Sequence, residues 1–168
     1  MKKISILFVC MGNICRSPTA ETVFRHQVQA AGLAHLIATD SVGTHDYHIG
    51  SPPDERSQAA ARVRGYDMSM LRGRQVTAAD FAAFDFILAM DNYNLALLKK
   101  ICPAEYLYRL GLFMEHSENF SEREVPDPYY GGEQGFNRVL DMVEDAARGL
   151  LKKLSTHGNA NFVICCKS

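Results

Sequence analysis

Almost no net charge, no long hydrophobic run, no even set of cysteines and no internal repeat: these absences bound what this 168-residue chain does. Its 18 basic and 19 acidic residues leave a formal net charge of −1. The strongly basic face that nucleic acid or an anionic membrane surface attracts is therefore missing. The apolar run near the start, Ile4 to Val9, is shorter than the roughly 7–15 residues of a secretion-signal core, and no small-residue cleavage site follows it. No stretch approaches the ~20 apolar residues that span a bilayer. The five cysteines are Cys10, Cys15, Cys102, Cys165 and Cys166. An odd number, in a chain long enough to bury a core without staples, points to a reducing cytoplasm rather than a disulfide framework.

What is present is an alternation of strand and helix patterns, which predicts a single-domain α/β fold around a parallel sheet. Ile4 to Val9 is continuously apolar, as expected of a strand covered on both faces. Ser17 is a good helix N-cap and Pro18 a good first helical residue. Ala20, Val23, Phe24, Val28 and Ala31 follow at helical spacing until Gly32. A strand over Leu36 to Val42, a loop to Pro53 and a helix from Asp54 to Arg64 come next. Thr77 to Asp80 starts a brief helix, Phe84 to Met90 reads as a strand, and Asp91 caps a helix running to Ile101. Glu105 to Leu110 is the expected fourth strand. Gly111 to Gly135 lacks periodicity, at a length that usually carries function. From Phe136 to Leu154 a sustained apolar stripe predicts the last helix. The domain is placed at residues 1–154, and residues 155–168 form a tail of unassigned role. The end of that tail, Cys165-Cys166-Lys167-Ser168, differs from a prenylation box because its middle residues are not aliphatic.

Chemistry concentrates in Cys10-Met11-Gly12-Asn13-Ile14-Cys15-Arg16-Ser17-Pro18. A lone cysteine at a strand end is ordinarily a buried apolar residue. Here a Gly-Asn turn, an arginine and a Ser-Pro helix start all follow in register. Gly12 and Asn13 tolerate the left-handed backbone of a tight anion cradle. A helix N-terminus and Arg16 favour an ionised Cys10 thiolate beneath the bound anion. Arg16 offers the bidentate grip on phosphoryl oxygens that lysine lacks. Met11, Gly12, Asn13, Ile14, Cys15 and Ser17 complete the cradle, and the Ser17 hydroxyl can hydrogen-bond the thiolate. In the aperiodic region Asp127 stands between Pro126 and Pro128. On its own it is an ordinary turn residue, and as a carboxyl near the phosphate it is a candidate proton donor. His45 and His48 without a further ligand cluster make a poor metal site, so no metal and no cofactor are expected.

The run from Cys10 to Glu21 resembles the signature loop of the low-molecular-weight protein tyrosine phosphatases, over about residues 4 to 154. The resemblance implies four parallel strands in the order 2-1-3-4 with helices on both faces. It further implies hydrolysis of phosphotyrosine in proteins through a phosphocysteine, with Cys10 as nucleophile, Arg16 as phosphate ligand and Asp127 as general acid and base. It places Tyr129 and Tyr130 in the cleft wall, Tyr47 against the substrate ring and His48 at a specificity position. It gives Asn13, Ser41 and Glu21 as supports of the loop, but Leu71 stands where a supporting histidine is expected. The partner implied is a tyrosine-phosphorylated protein, with a bacterial tyrosine kinase of polysaccharide export as one source, and the enzyme a monomer or weak dimer. Three other readings compete. A thioredoxin-coupled arsenate reductase needs a redox cysteine pair that residues 81 to 95 do not contain. A phosphoarginine phosphatase has Thr where this chain has Ile14. A non-catalytic phosphate-binding module is expected to lack Cys10 or Asp127. A reversible Cys10–Cys15 disulfide is a further expectation for the loop.

Overall fold

The computed structural model describes residues 3–158, apart from the side chains of Tyr130 and His157. The expectations for Tyr130 as a wall and for the apolar tail and its cysteines fall outside the described part. Strand β1 (Ile4–Cys10) pairs in parallel with β2 (Ile37–Gly43) on one side and β3 (Phe86–Ala89) on the other, and β4 (Leu110–Leu112) adds beyond β3. The order is β2-β1-β3-β4. Because successive side chains leave a strand on opposite faces, β1 feeds two cores. Ile6 and Phe8 pack with α1 (Arg16–Ala30) and α5 (Gly132–Gly158), where Phe8 meets Phe24 and Phe113 edge-on at 5.8 and 5.2 Å. Leu7 and Val9 join Phe81 of α3 (Ala78–Ala83) and Leu95 and Leu98 of α4 (Asn92–Ile101). The continuous apolar run is thus the residue pattern of a strand buried on both faces.

Local signals set most boundaries. Asp54 caps α2 (Glu55–Val63) by accepting from the Arg56 N–H, and Asp91 caps α4 by accepting from the Asn94 N–H. Three details depart from the pattern. Ser17 does not cap α1; the helix begins at Arg16 with Cys15 before it and no side-chain cap. Pro18 nonetheless sits in the first turn, where a missing N–H costs nothing. Residues Ala104–Arg109 form a 3-10 helix rather than the fourth strand, which is confined to Leu110–Leu112. Glu105 to Leu110 had strand-like composition but no alternation, and Pro103 starts a tight turn instead. The last helix begins at Gly132, not Phe136, and continues past Leu154 to Gly158. Among the described residues no helix is long and apolar enough to cross a membrane.

The chain leaves the centre of the sheet in opposite directions from β1, so a crevice opens outside the carboxyl ends of β1 and β3, the usual ligand position in such sheets. The segment that roofs this crevice is tied to α5. Asp145, almost fully buried on that helix, accepts from the Ser117 hydroxyl, the Asn119 side-chain amide and the N–H groups of Glu118 (2.9 Å) and Asn119 (3.0 Å). Burial alone raises a carboxyl's pKa, but these hydrogen bonds overcome it and hold Asp145 at about 2, below its ordinary 3.8. A depressed carboxyl contributes stability above its unfolded pKa and loses it as pH falls through the folded one. Asp145→Ala should therefore cost about 2 kcal/mol at neutral pH, by removing the shared acceptor of four hydrogen bonds from residues 117–119. Denaturant titration measures that loss, and the gap from the wild type should close between pH ~4 and ~2.

Candidate active site

The loop from Cys10 to Arg16 sits at the mouth of this crevice. The carbonyls of Cys10, Met11 and Ile14 accept hydrogen bonds from the N–H groups of Thr44 (2.9 Å), His45 (3.0 Å) and Asp54 (2.8 Å), so neighbouring segments hold the loop from outside. Among the described residues, the backbone N–H groups of Gly12, Asn13, Ile14 and Cys15 donate to no protein acceptor. Several convergent, unsatisfied donors at the start of a helix are an anion site in the making. Cys10 lies on its floor, 3% exposed, with its sulfur 3.0 Å from the Ser17 hydroxyl.

A buried polar network fixes this curve. Asn13 has φ +57°, which a short amide side chain tolerates. Its Nδ2 donates to the hydroxyls of Ser17 (2.8 Å) and Ser41 (3.0 Å), and its Oδ1 accepts from the Arg74 N–H at 3.0 Å. Ser41 in turn donates to Glu21 at 2.7 Å, and Glu21 pairs with Arg25. Burial raises the Glu21 pKa, against the opposing pull of Ser41 and Arg25. Leu71 takes no part; it packs against the core beneath α1. The support is closed without a histidine, by a carboxylate on one side and a backbone N–H on the other.

Arg16 is buried with its guanidinium fixed along one edge. Its Nη1 donates to Asp91 at 2.6 Å and to the Val125 carbonyl at 3.0 Å, while Nη2 lies 3.9 Å from Asp127. Burial opposes its charge, but the Cys10 sulfur, Asp91 and Asp127 outweigh that and hold its pKa above the ordinary value. Asp127 is 44% exposed and accepts from the Tyr129 N–H at 3.0 Å, opening the short 3-10 helix Pro128–Tyr130. Arg56 clamps that helix by donating to the Tyr129 carbonyl at 3.1 Å while its guanidinium lies over the Tyr129 and Phe136 rings. Asp54 holds Arg56 in turn, at 3.0 Å. The sequence showed Asp91 only as a helix cap and Asp54 only as a helix start, and did not mark Arg56. Pairings over 75 positions or to a distant carbonyl leave no local pattern.

The wall loop lies opposite. Tyr47 is 67% exposed and stacks on His45, with ring centroids 5.0 Å apart. His48 packs so closely on Gly12 that a Cβ there would approach its ring at 2.9 Å, and a Cβ on Gly43 would meet the Met11 carbonyl at 2.7 Å. These two glycines let the walls close on the loop. A cleft of about 610 Å³ lined by Arg16, Asp91, Glu124, Asp127, Arg123 and Met142, among others, opens on the Arg16 side; it flanks the thiol rather than enclosing it. Among the described residues no group of three or more His, Cys, Asp or Glu is placed to hold a metal ion.

Fold and site together define a small parallel α/β protein with a thiol-floored anion loop at the carboxyl edge of its sheet. The family model described as low molecular weight phosphotyrosine protein phosphatase matches residues 5–160. A Synechocystis protein provisionally named a low molecular weight protein-tyrosine-phosphatase is 46% identical over 152 residues, 90% of this chain and 96% of that protein. The low molecular weight phosphotyrosine protein phosphatase of Schizosaccharomyces pombe is 39% identical over 92% of this chain and 99% of its own. A crystal structure of protein tyrosine phosphatase from Entamoeba histolytica, with Hepes in its active site, superposes with a TM-score of 0.90 at 42% identity, covering 93% of this chain and 99% of that one. The chain belongs to the low molecular weight phosphotyrosine protein phosphatase family.

The two loop cysteines differ in kind. Burial pushes the Cys15 thiol up to about 12; a hydrogen bond with Ser57 opposes this, and the nearby Asp54 and Cys10 add to it. Cys15 thus stays a protonated thiol through the neutral range, whereas the Cys10 sulfur faces the open cradle of unsatisfied loop N–H groups. Iodoacetate at pH 7 should carboxymethylate Cys10 and leave Cys15 unlabelled, as mapped by fragment masses of the loop peptide. Equal labelling of the two would contradict this assignment.

Proposed function

We propose that the protein hydrolyses phosphotyrosine in proteins, and aryl phosphates generally, through a phosphocysteine intermediate. The observation that carries the reading is one constellation: a thiol on the floor of unsatisfied N–H groups, with a buried arginine edge and a reachable carboxyl, Asp127, 3.9 Å from that edge. The Cys10 thiolate attacks phosphorus in line with the tyrosyl oxygen. The loop N–H groups and the free edge of Arg16 hold the three equatorial oxygens as charge redistributes over them. Asp127 protonates the departing tyrosyl oxygen, which leaves as neutral tyrosine. The resulting carboxylate then takes a proton from water, whose oxygen attacks the phosphocysteine, breaks the P–S bond and releases inorganic phosphate. The Ser17 hydroxyl, 3.0 Å from the sulfur, stabilises the thiolate that leaves in this second step. Tyr47 and Tyr129, both substantially exposed beside the mouth, supply apolar walls for the aryl ring.

Cys10→Ser should lower turnover of 4-nitrophenyl phosphate by at least ~10³ and abolish the initial burst of nitrophenol, while phosphate still binds. Asp127→Ala should cost ~10² or more in kcat on phenyl phosphate, whose leaving group needs a proton, and distinctly less on the nitrophenyl ester. Normal turnover by the serine variant, or equal losses on the two esters, would overturn the nucleophile or the acid assignment respectively.

A further inference from the structure

Beyond the groups that meet the phosphate, a second polar chain reaches Arg16 from the opposite side of the mouth. Its direction is fixed at one end. Asp91 is a carboxylate and only accepts: Oδ2 takes the Arg16 Nη1–H at 2.6 Å, and Oδ1 takes the Asn94 side-chain Nδ2–H at 2.7 Å. Asn94 must therefore turn its carbonyl the other way, where Oδ1 accepts the Thr44 hydroxyl at 2.9 Å. With its single proton engaged there, the Thr44 oxygen is the acceptor in its 2.8 Å contact with His45 Nδ1. The chain runs unbroken from His45 Nδ1–H through Thr44, Asn94 and Asp91 to the guanidinium, and it fixes the neutral His45 ring as its Nδ1 tautomer.

Both ends are held. Asn94 is fully buried, and its backbone N–H also donates to Asp91, at 2.8 Å. At the rim the His45 ring lies between two tyrosines, 5.0 Å from the Tyr47 ring at 27° and 6.3 Å from the Tyr93 ring at 13°. Stacking sets the plane of the imidazole, and the plane aims Nδ1 at Thr44. Hydrogen bonds in series polarise one another, and a half-satisfied buried chain loses more than one bond. Without the Thr44 hydroxyl, Asn94 gains freedom to rotate its amide, and Asp91 Oδ1 loses one of its two donors and keeps only the Asn94 backbone N–H.

We infer that Thr44 and His45 are positioning residues for Arg16, acting through Asn94 and Asp91 so that the outer wall of the mouth sets the angle of the phosphate grip. The inference deepens the phosphatase reading and rests on it for its catalytic consequence. Its binding consequence stands apart, because inorganic phosphate reads Arg16 without any turnover.

Phosphate affinity is measured by calorimetry alongside kcat and KM on an aryl phosphate, for Thr44→Val, Thr44→Ser, His45→Phe and the Val/Phe double variant. The valine, which keeps the shape and removes the hydroxyl, should weaken phosphate binding ~10-fold, and serine should restore it to within ~2-fold. Phenylalanine keeps a ring in the stack without the donor and should cost ~3-fold. The double variant should lose no more than valine alone, since members of one chain are not additive. Unchanged phosphate affinity in Thr44→Val overturns the inference, as does failure of the serine to restore it or additive losses in the double variant. If Thr44→Val does not fold, wild-type affinity in the rim variant His45→Phe overturns it equally. A wild type that binds phosphate but cleaves no aryl ester would sink the phosphatase reading and leave the relay standing. An active wild type with an indifferent Thr44→Val does the reverse.

Discussion

Everything at the mouth depends on Asn13 holding a backbone turn that the chain would not otherwise keep. Its φ of +57° costs roughly 1–2 kcal/mol relative to a right-handed residue. Three hydrogen bonds, two of them buried, to Ser17, Ser41 and the Arg74 N–H, offset that cost and tie the loop to α1, β2 and the segment after Gly73. The turn is what aims successive N–H groups into one space. An unsupported loop would relax by finding acceptors for them, and the cradle would be lost. Because the network is buried and satisfied at every member, it rigidifies the loop rather than straining it.

Arg16 faces a related problem, since a buried guanidinium is tolerated only when its charge and donors are met. Asp91 and the Val125 carbonyl engage one nitrogen, which leaves the other edge for an anion. Val125 is itself placed by its N–H bond to the Met90 carbonyl at the end of β3. The cap of α4 and the entry to the Asp127 segment are therefore joined at a single guanidinium. The Cys10 loop, Arg16 and Asp127 share one frame, and the geometry that orders one orders the others.

The two walls are built on different physics. On one side Arg56 lies over Tyr129 and Phe136 while holding the backbone that carries Asp127, a cation and a hydrogen bond acting together on a short 3-10 turn. On the other, stacked rings and close glycine contacts bring the wall loop against the cradle. The first wall holds the proposed proton donor, Asp127, and the second presents an exposed aromatic ring, Tyr47, beside the cradle.

The parallel sheet was legible in the alternation of strand and helix patterns, whereas its strand order came from the family resemblance. A doubly buried β1 is visible as an unbroken apolar run and the loop from Cys10 to Ser17 as an anion cradle, whereas Asp127 on its own reads as a turn residue and takes its proposed role from the resemblance. Capping at Asp91 was equally legible, because a cap acts within a single turn. How these groups are held is settled by packing between distant elements. Ser17 reads as a cap as well as a partner of the thiol, yet it lies inside α1 and caps nothing, its hydroxyl being 3.0 Å from the Cys10 sulfur. Glu105 to Leu110 reads as a strand, yet the proline before it and the edge position favour a 3-10 turn. Leu71 reads as a gap in the support, yet Glu21 and the Arg74 N–H close it from two other elements. The Asp91–Arg16 pair, the Arg56 clamp and the His45–Thr44–Asn94 chain join residues far apart in sequence. Their partners are chosen by packing and by the need to satisfy buried charge, and neither constraint writes a pattern along the chain.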